Sequence, residues 1–208
     1  MKVVIFDMDG TLLDSSEDIA TSVNFVRSFN HDLAPLSVDD VVKFINLPKR
    51  NLSKLFYGTE VYEKRDYELF ESHYIEQCIK NTTLYDGIAG MLESLECSGV
   101  KMAVATNAYT PFAKKMLSHL EVSRHFGFII GADEAASKPS PAMLNLALEH
   151  FGFRHKEHRA WMVGDNIKDL QAAAQARIDG VFVGWGFASG ESKDGVLNSP
   201  KELVSLIL

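Results

Sequence analysis

Cysteine is scarce: the 208 residues hold two, Cys78 and Cys97, at no motif spacing. That excludes a disulfide framework, and because both fall among helix-like residues they read as buried free thiols in a reducing compartment. Long apolar runs are missing too. The amino-terminal run breaks at Asp7, before a signal-peptide core would be complete, and no stretch approaches membrane-spanning length, so a soluble, cytoplasmic protein with no membrane partner is expected. Positive charge is in deficit. With 21 Lys and Arg against 28 Asp and Glu, the net charge of −7 gives no support to sequence-independent nucleic-acid binding, which draws on cationic clusters. Neither an internal repeat nor a low-complexity segment occurs, and the length suits one domain or one domain with a small insertion.

What is present begins at Lys2-Val3-Val4-Ile5-Phe6, followed at once by Asp7-Met8-Asp9-Gly10-Thr11. So short and apolar a run reads as a strand buried on both faces, as in parallel sheets covered by helices. In such sheets ligands bind beyond the carboxyl ends of the strands, which puts Asp7 and Asp9 in the crevice. Two carboxylates so close repel unless a cation lies between them. Gly10 suits a turn that needs positive φ, and Thr11 can bond back to the local backbone. On these residues alone, a capped strand end and a metal site both remain open.

From Ser15 to about Thr83 helical spacing takes over. Ile19, Val23, Val26 and Phe29 lie on one helical face behind a Ser15 or Ser16 N-cap, with Glu17 and Asp18 in the first turn. Val41, Phe44 and Ile45, then Leu52, Leu55 and Phe56, then Tyr67, Phe70, Tyr74 and Cys78 continue the pattern. The polar stretch from Asn81 to Gly87 suits a hinge. After it, strands are expected at Lys101 to Ala105, Phe126 to Ile130, Arg159 to Val163 and Gly180 to Val183. Helices starting near Ile88, Thr110-Pro111, Pro141, Ile167 and Glu202 alternate with them, which argues for a parallel sheet covered on both faces.

If the strands are parallel, their carboxyl ends share one edge. That edge gathers Asp7 and Asp9, Thr106 and Asn107, and Asp165, Asn166 and Asp169, while Lys138 enters from the loop Gly131 to Pro141. Singly, each has a plainer explanation: Thr106 as a capping hydroxyl, Lys138 as a solvated charge, Asn166 as an N-cap, Asp165 and Asp169 as acids in a helix's first turn. Their convergence is what those explanations do not predict. Carboxylates without His or Cys suit a hard cation such as Mg²⁺, and Thr, Asn and Lys donors suit phosphate oxygens. Together they describe a site for phosphoryl transfer.

Asp7-Met8-Asp9-Gly10-Thr11, Thr106-Asn107, Lys138-Pro139 and Gly164-Asp165-Asn166 with Asp169 resemble, in order, the four signature motifs of the haloacid dehalogenase-like hydrolase superfamily. Lys-Pro-Ser-Pro at 138 to 141 and Trp185-Gly186-Phe187 make the chain similar to its phosphoglycolate phosphatase-like subgroup. The resemblance implies an α/β fold, a Rossmann-like parallel five-stranded sheet of order 5-4-1-2-3 with an inserted all-helical cap. Residues 1–14 and 84–208 would form the core and 15–83 the cap.

It also implies a Mg²⁺-dependent phosphatase acting on a small-molecule phosphate ester, as a monomer or dimer. Asp7 would be the nucleophile and Asp9 the general acid and base. Thr106, Asn107 and Lys138 would hold the phosphoryl group. Asp7, the backbone carbonyl of Asp9, and Asp165 would bind the metal, with Gly10, Thr11, Asn166 and Asp169 in support and Lys49 and Arg50 reaching substrate from the cap. A phosphomutase resembling β-phosphoglucomutase, and a non-catalytic binding protein on the same fold, are the alternatives. Two departures from the family pattern stand out: Ala108 replaces a larger polar residue, and Arg177 replaces a glycine at a helix end, where a left-handed conformation would be strained.

Overall fold

A computed structural model describes residues 1–47, 50–187 and 195–208. It divides into two compact units, one of residues 1–14 and 83–208 and one of residues 15–82.

The first unit is organised around β1 (Lys2–Phe6), in which Val3 to Phe6 are fully buried. Its β-branched and aromatic side chains leave no polar face, so both edges and both faces need cover. β4 (Lys101–Ala105) and β6 (Arg159–Gly164) pair with its two edges, both parallel. β5 (Phe128–Ile130) extends the sheet beyond β4 and β7 (Asp179–Phe182) beyond β6, giving the order β5-β4-β1-β6-β7. Counting only these five strands along the chain, this is the expected 5-4-1-2-3. One face is covered by α7 (Ala142–His150) and α8 (Ile167–Ala176), whose Met143, Leu144, Ala147, Ala172 and Ala173 meet Val3, Ile5 and Met162. α5 (Ile88–Cys97), α6 (Thr110–His119) and α9 (Pro200–Ile207) complete the unit.

Several boundaries shift from expectation. β5 starts at Phe128 because the Gly127 amide already bonds to Met102 ahead of the ladder. β7 runs one residue earlier, leaving Val183 as an isolated bridge to Leu197. α9 starts at Pro200, its N-cap Ser199 accepting from Glu202 N. α6 starts at Thr110 as expected, with Tyr109 at its N-cap and the Thr110 hydroxyl donating to Asp133, 3.0 Å away. Cys78 is buried, but Cys97, the last residue of α5, is exposed. The hinge stretch contains a two-residue strand, β3 (Thr83–Leu84), paired antiparallel with β2 (Leu13–Asp14).

The second unit is helical: α1 (Ser16–His31), α2 (Val38–Asn46), α3 (Leu52–Tyr57) and α4 (Lys64–Gln77). Ala20, Val23, Val26, Val41, Phe56 and Tyr57 form its core. Phe29, expected on the buried stripe, is 72 % exposed and stacks on Phe25 instead. Arg27 takes the inner position, because its guanidinium satisfies the carbonyls of Ala34 and Phe56 where the chain turns back. Asp18 is buried at the start of α1 and accepts from Gln77 Nε2, the amide and side chain of Asn81, and the amide and hydroxyl of Thr82. Its hydrogen bonds fasten the chain's exit from the unit to the entry helix.

Candidate active site

The carboxyl end of β1 is extended by one more sheet bond, Asp7 N to Val163 O at 2.8 Å. The chain then turns sharply: the Met8 carbonyl accepts from the amides of Thr11, Leu12 and Leu13, and Gly10 takes φ +80°, which a side chain would strain. This turn is held from the far edge of the sheet. Trp185 Nε1 donates to the Thr11 carbonyl at 2.9 Å, and Gly186 packs so closely that a Cβ there would collide with the Gly10 carbonyl. Thr11 does not bond back locally through its hydroxyl. It reaches Asp165 Oδ1, 3.4 Å away at the end of β6.

After β6, Asn166 caps α8 in a capping box: its side chain accepts from the Lys168 amide at 3.2 Å, and Asp169 Oδ2 accepts from the Asn166 amide at 3.0 Å. The other oxygen of Asp169 faces Lys138, whose Nζ lies 2.7 Å from it and 2.6 Å from Asp7 Oδ1. Lys138 is thus no solvated charge, its side chain being 2 % exposed. Burial alone would drive its proton off, yet Asp169 and Asp7 outweigh that and keep the ammonium charged. Asp165 is pushed well up, first by burial and then by Asp7 and Asp169.

The ammonium does not balance the site. Ligand oxygens of Asp7, Asp165 and Asp169 lie within 4.8 Å of one another, so three carboxylates face one cation, and Asp165 Oδ2 is buried with no hydrogen-bond partner. A hard divalent cation fits this all-oxygen set and would satisfy both the excess charge and the orphaned oxygen. The carboxylate of Asp9 is not among the three.

At the neighbouring strand end, Thr106 is buried and its hydroxyl accepts from the Ala108 amide at 3.1 Å. Asn107 turns its side chain to the backbone of Lys138, accepting from its amide at 2.8 Å and donating to its carbonyl at 3.0 Å. Gln175 of α8 donates to the Pro139 carbonyl at 2.8 Å. Of the expected cap residues, Lys49 lies outside the described residues, and Arg50 belongs to the helical unit, where it is half-buried beside Tyr62. Burial pulls its guanidinium below the ordinary range.

The sequence marked Trp185 only as part of a family motif, without a place at the site, and gave no role there to the amide of Gln175 or the phenol of Tyr85. The last is held protonated by burial and by Asp14, Asp165 and Asp9. An aromatic residue in the loop after the last strand was the only local signal for the first of these, and nothing local marked the other two.

A parallel α/β sheet with carboxylates and one lysine gathered at its carboxyl edge places the chain in the Rossmann-like α/β class. The chain belongs to the haloacid dehalogenase-like hydrolase family, whose model matches residues 4–183. It falls with the phosphatase-type hydrolases of the phosphoglycolate phosphatase-like subgroup. A phosphoglycolate phosphatase of Aquifex aeolicus is 33 % identical over 210 residues, covering 100 % of this chain and 97 % of that protein. The tyrosine-protein kinase PtkA of Mycobacterium tuberculosis is also 33 % identical, over 93 % of this chain and 65 % of its own length. The crystal structure of a predicted phosphatase from Clostridium acetobutylicum is similar over 99 % of this chain and 97 % of that one, with a TM-score of 0.80 and 27 % identity.

Proposed function

We propose that this protein is a Mg²⁺-dependent phosphatase that hydrolyses a small phosphorylated metabolite through an aspartyl-phosphate on Asp7. The observation that carries the reading is the charge imbalance at the strand ends, three crowded carboxylates with one ammonium and an orphaned oxygen on Asp165. Asp7, Asp165 and the carbonyl of Asp9 would hold the metal, with Asp169 supporting them. A bound Mg²⁺ supplies charge neutralisation for the transferring phosphoryl group.

The chain's own groups carry the chemistry. An Asp7 oxygen forms a bond to phosphorus as the ester oxygen leaves, and Asp9 gives that oxygen a proton. Asp9 then takes a proton from the water that breaks the Asp7–phosphorus bond, releasing orthophosphate. Lys138, already against Asp7, neutralises charge on the phosphoryl oxygens, and the Thr106 hydroxyl, which accepts from Ala108, has its own proton to donate to them. Helical residues 15–82 act as the cap domain that selects substrate, with Arg50 its candidate substrate contact among the described residues.

The test is release of orthophosphate from a generic phosphate ester, with Mg²⁺ or with EDTA, by the natural protein and by Asp7→Asn. Hydrolysis that needs Mg²⁺ and is lost in Asp7→Asn supports the proposal; full activity in the variant refutes it. Because one relative is named a tyrosine-protein kinase, a parallel reaction contains ATP and a tyrosine peptide. Transfer to the peptide without phosphate release would also overturn the reading.

A further inference from the structure

Lys138 stands in the segment 131–141, between the end of β5 and the start of α7, yet its ammonium must reach a point between Asp7 and Asp169. A lysine stem has four rotatable bonds, so that placement depends on a fixed backbone to start from. No ladder provides it. One side chain does: Asn107 Oδ1 accepts from the Lys138 amide and Asn107 Nδ2 donates to the Lys138 carbonyl, at 2.8 and 3.0 Å. A planar amide holding both polar groups of one residue fixes the direction of its Cα–Cβ bond. Gln175 secures the next carbonyl, that of Pro139.

We infer that Asn107 is a positioning residue for Lys138: its carboxamide acts through the lysine backbone and makes no bond to the phosphoryl group. With the Oδ1 acceptor and an Nδ2 donor both engaged, the amide plane is committed to the lysine. Only an amide of this length can supply acceptor and donor together. Asp lacks the donor, Ser has one atom for two tasks, and Gln is a methylene too long. The inference concerns the site as read above and rests on that reading for its catalytic consequence. Asn107 is itself exposed, so truncating it leaves no buried void and the variants should fold.

Two measurements on the full chain test the clamp. The first is amide hydrogen exchange at Lys138, whose N–H has Asn107 Oδ1 as its acceptor. Asn107→Ala should speed it about tenfold or more while the amides of β1 and β6 stay protected. Unchanged exchange overturns the clamp whether or not the protein hydrolyses anything. The second is a double-mutant cycle on kcat/KM for the generic ester. Asn107→Ala alone should cost about tenfold, in the range of residues that orient a catalytic group. In a Lys138→Met background the same change should cost less than about twofold. Losses that multiply would show Asn107 touching the phosphoryl group itself and overturn the inference. Where Lys138→Met turns over too slowly to follow, orthophosphate affinity measured by calorimetry gives the same cycle. If the natural protein hydrolyses no ester, the proposed function fails and the exchange measurement still decides the clamp.

Discussion

Asp18 in the helical unit and Asp165 in the sheet unit are both buried aspartates, 0 % and 3 % exposed, and their surroundings are opposite. Asp18 has donors from Gln77, Asn81 and Thr82 around both its oxygens. Burial pushes its pKa up, but those hydrogen bonds outweigh burial and hold it below the ordinary value of 3.8. Asp165 has a long bond from Thr11, an oxygen with no partner, and two further carboxylates close by. Burial and those neighbours push its proton affinity up together. A buried charge that the fold satisfies is a structural tie, whereas one that the fold leaves wanting needs something from outside. Asp66 lies between the two. One of its oxygens meets Asn30 and His31 and the other has no partner, but no group of three acidic or metal-binding side chains surrounds it among the described residues.

The contrast predicts opposite costs for removing the two charges. Asp165→Asn should lower kcat for phosphate-ester hydrolysis about 10³-fold. In metal-free buffer its unfolding free energy should match or exceed that of the natural protein, since a repulsive charge has gone; a large loss of stability would erase the distinction. Asp18→Ala should cost about 3 kcal/mol in denaturant unfolding, because several donors lose their acceptor.

The Asp18 contribution also has a pH signature. Its folded pKa is depressed, so the stabilisation is present above the unfolded value near 3.8 and fades as pH falls through the folded value. The gap between the natural protein and Asp18→Asn should therefore be widest near neutrality and close in acid. A gap that grew on acidification would contradict the hydrogen-bonded carboxylate.

Mg²⁺ should also tell the two aspartates apart. At about 100 times its Kd it should raise the unfolding free energy by about 2.7 kcal/mol, and this gain should vanish in Asp165→Asn but persist in Asp18→Asn. The smallest effect lies at Arg177, which holds φ 58° at the end of α8. Arg177→Gly should stabilise by about 1 kcal/mol, a rise of about 3 °C in Tm.

The sheet was legible in the sequence because strands buried on both faces appear as short apolar runs. Their polar ends mark one edge of the sheet, so Asp7, Thr106, Lys138 and Asp165 could be collected before any pairing was known. What could not be read was direction. Lys138 and Asp7 are 131 positions apart and Trp185 and Thr11 are 174 apart, and nothing local shows that such side chains meet. Asn107 was assigned to phosphate by its place at the edge, but its amide points along the edge to the lysine loop. Phe29 followed the helical period and still ended outside, because Arg27 had carbonyls to satisfy within. Periodicity reports a face and not the polar needs of the chain that packs against it.

In the proposed mechanism, the unsatisfied charge at the strand ends lets Asp7 attack phosphorus. Acid-quenching the protein during turnover of a phosphate ester with Mg²⁺, then mapping acid-stable phosphoryl groups by peptide mass spectrometry, reads that attack on the nucleophile itself. A phosphoryl group should be found on Asp7, absent without Mg²⁺ and absent in Asp7→Asn. Sustained phosphate release with Asp7 never modified, and undiminished in Asp7→Asn, would contradict that mechanism.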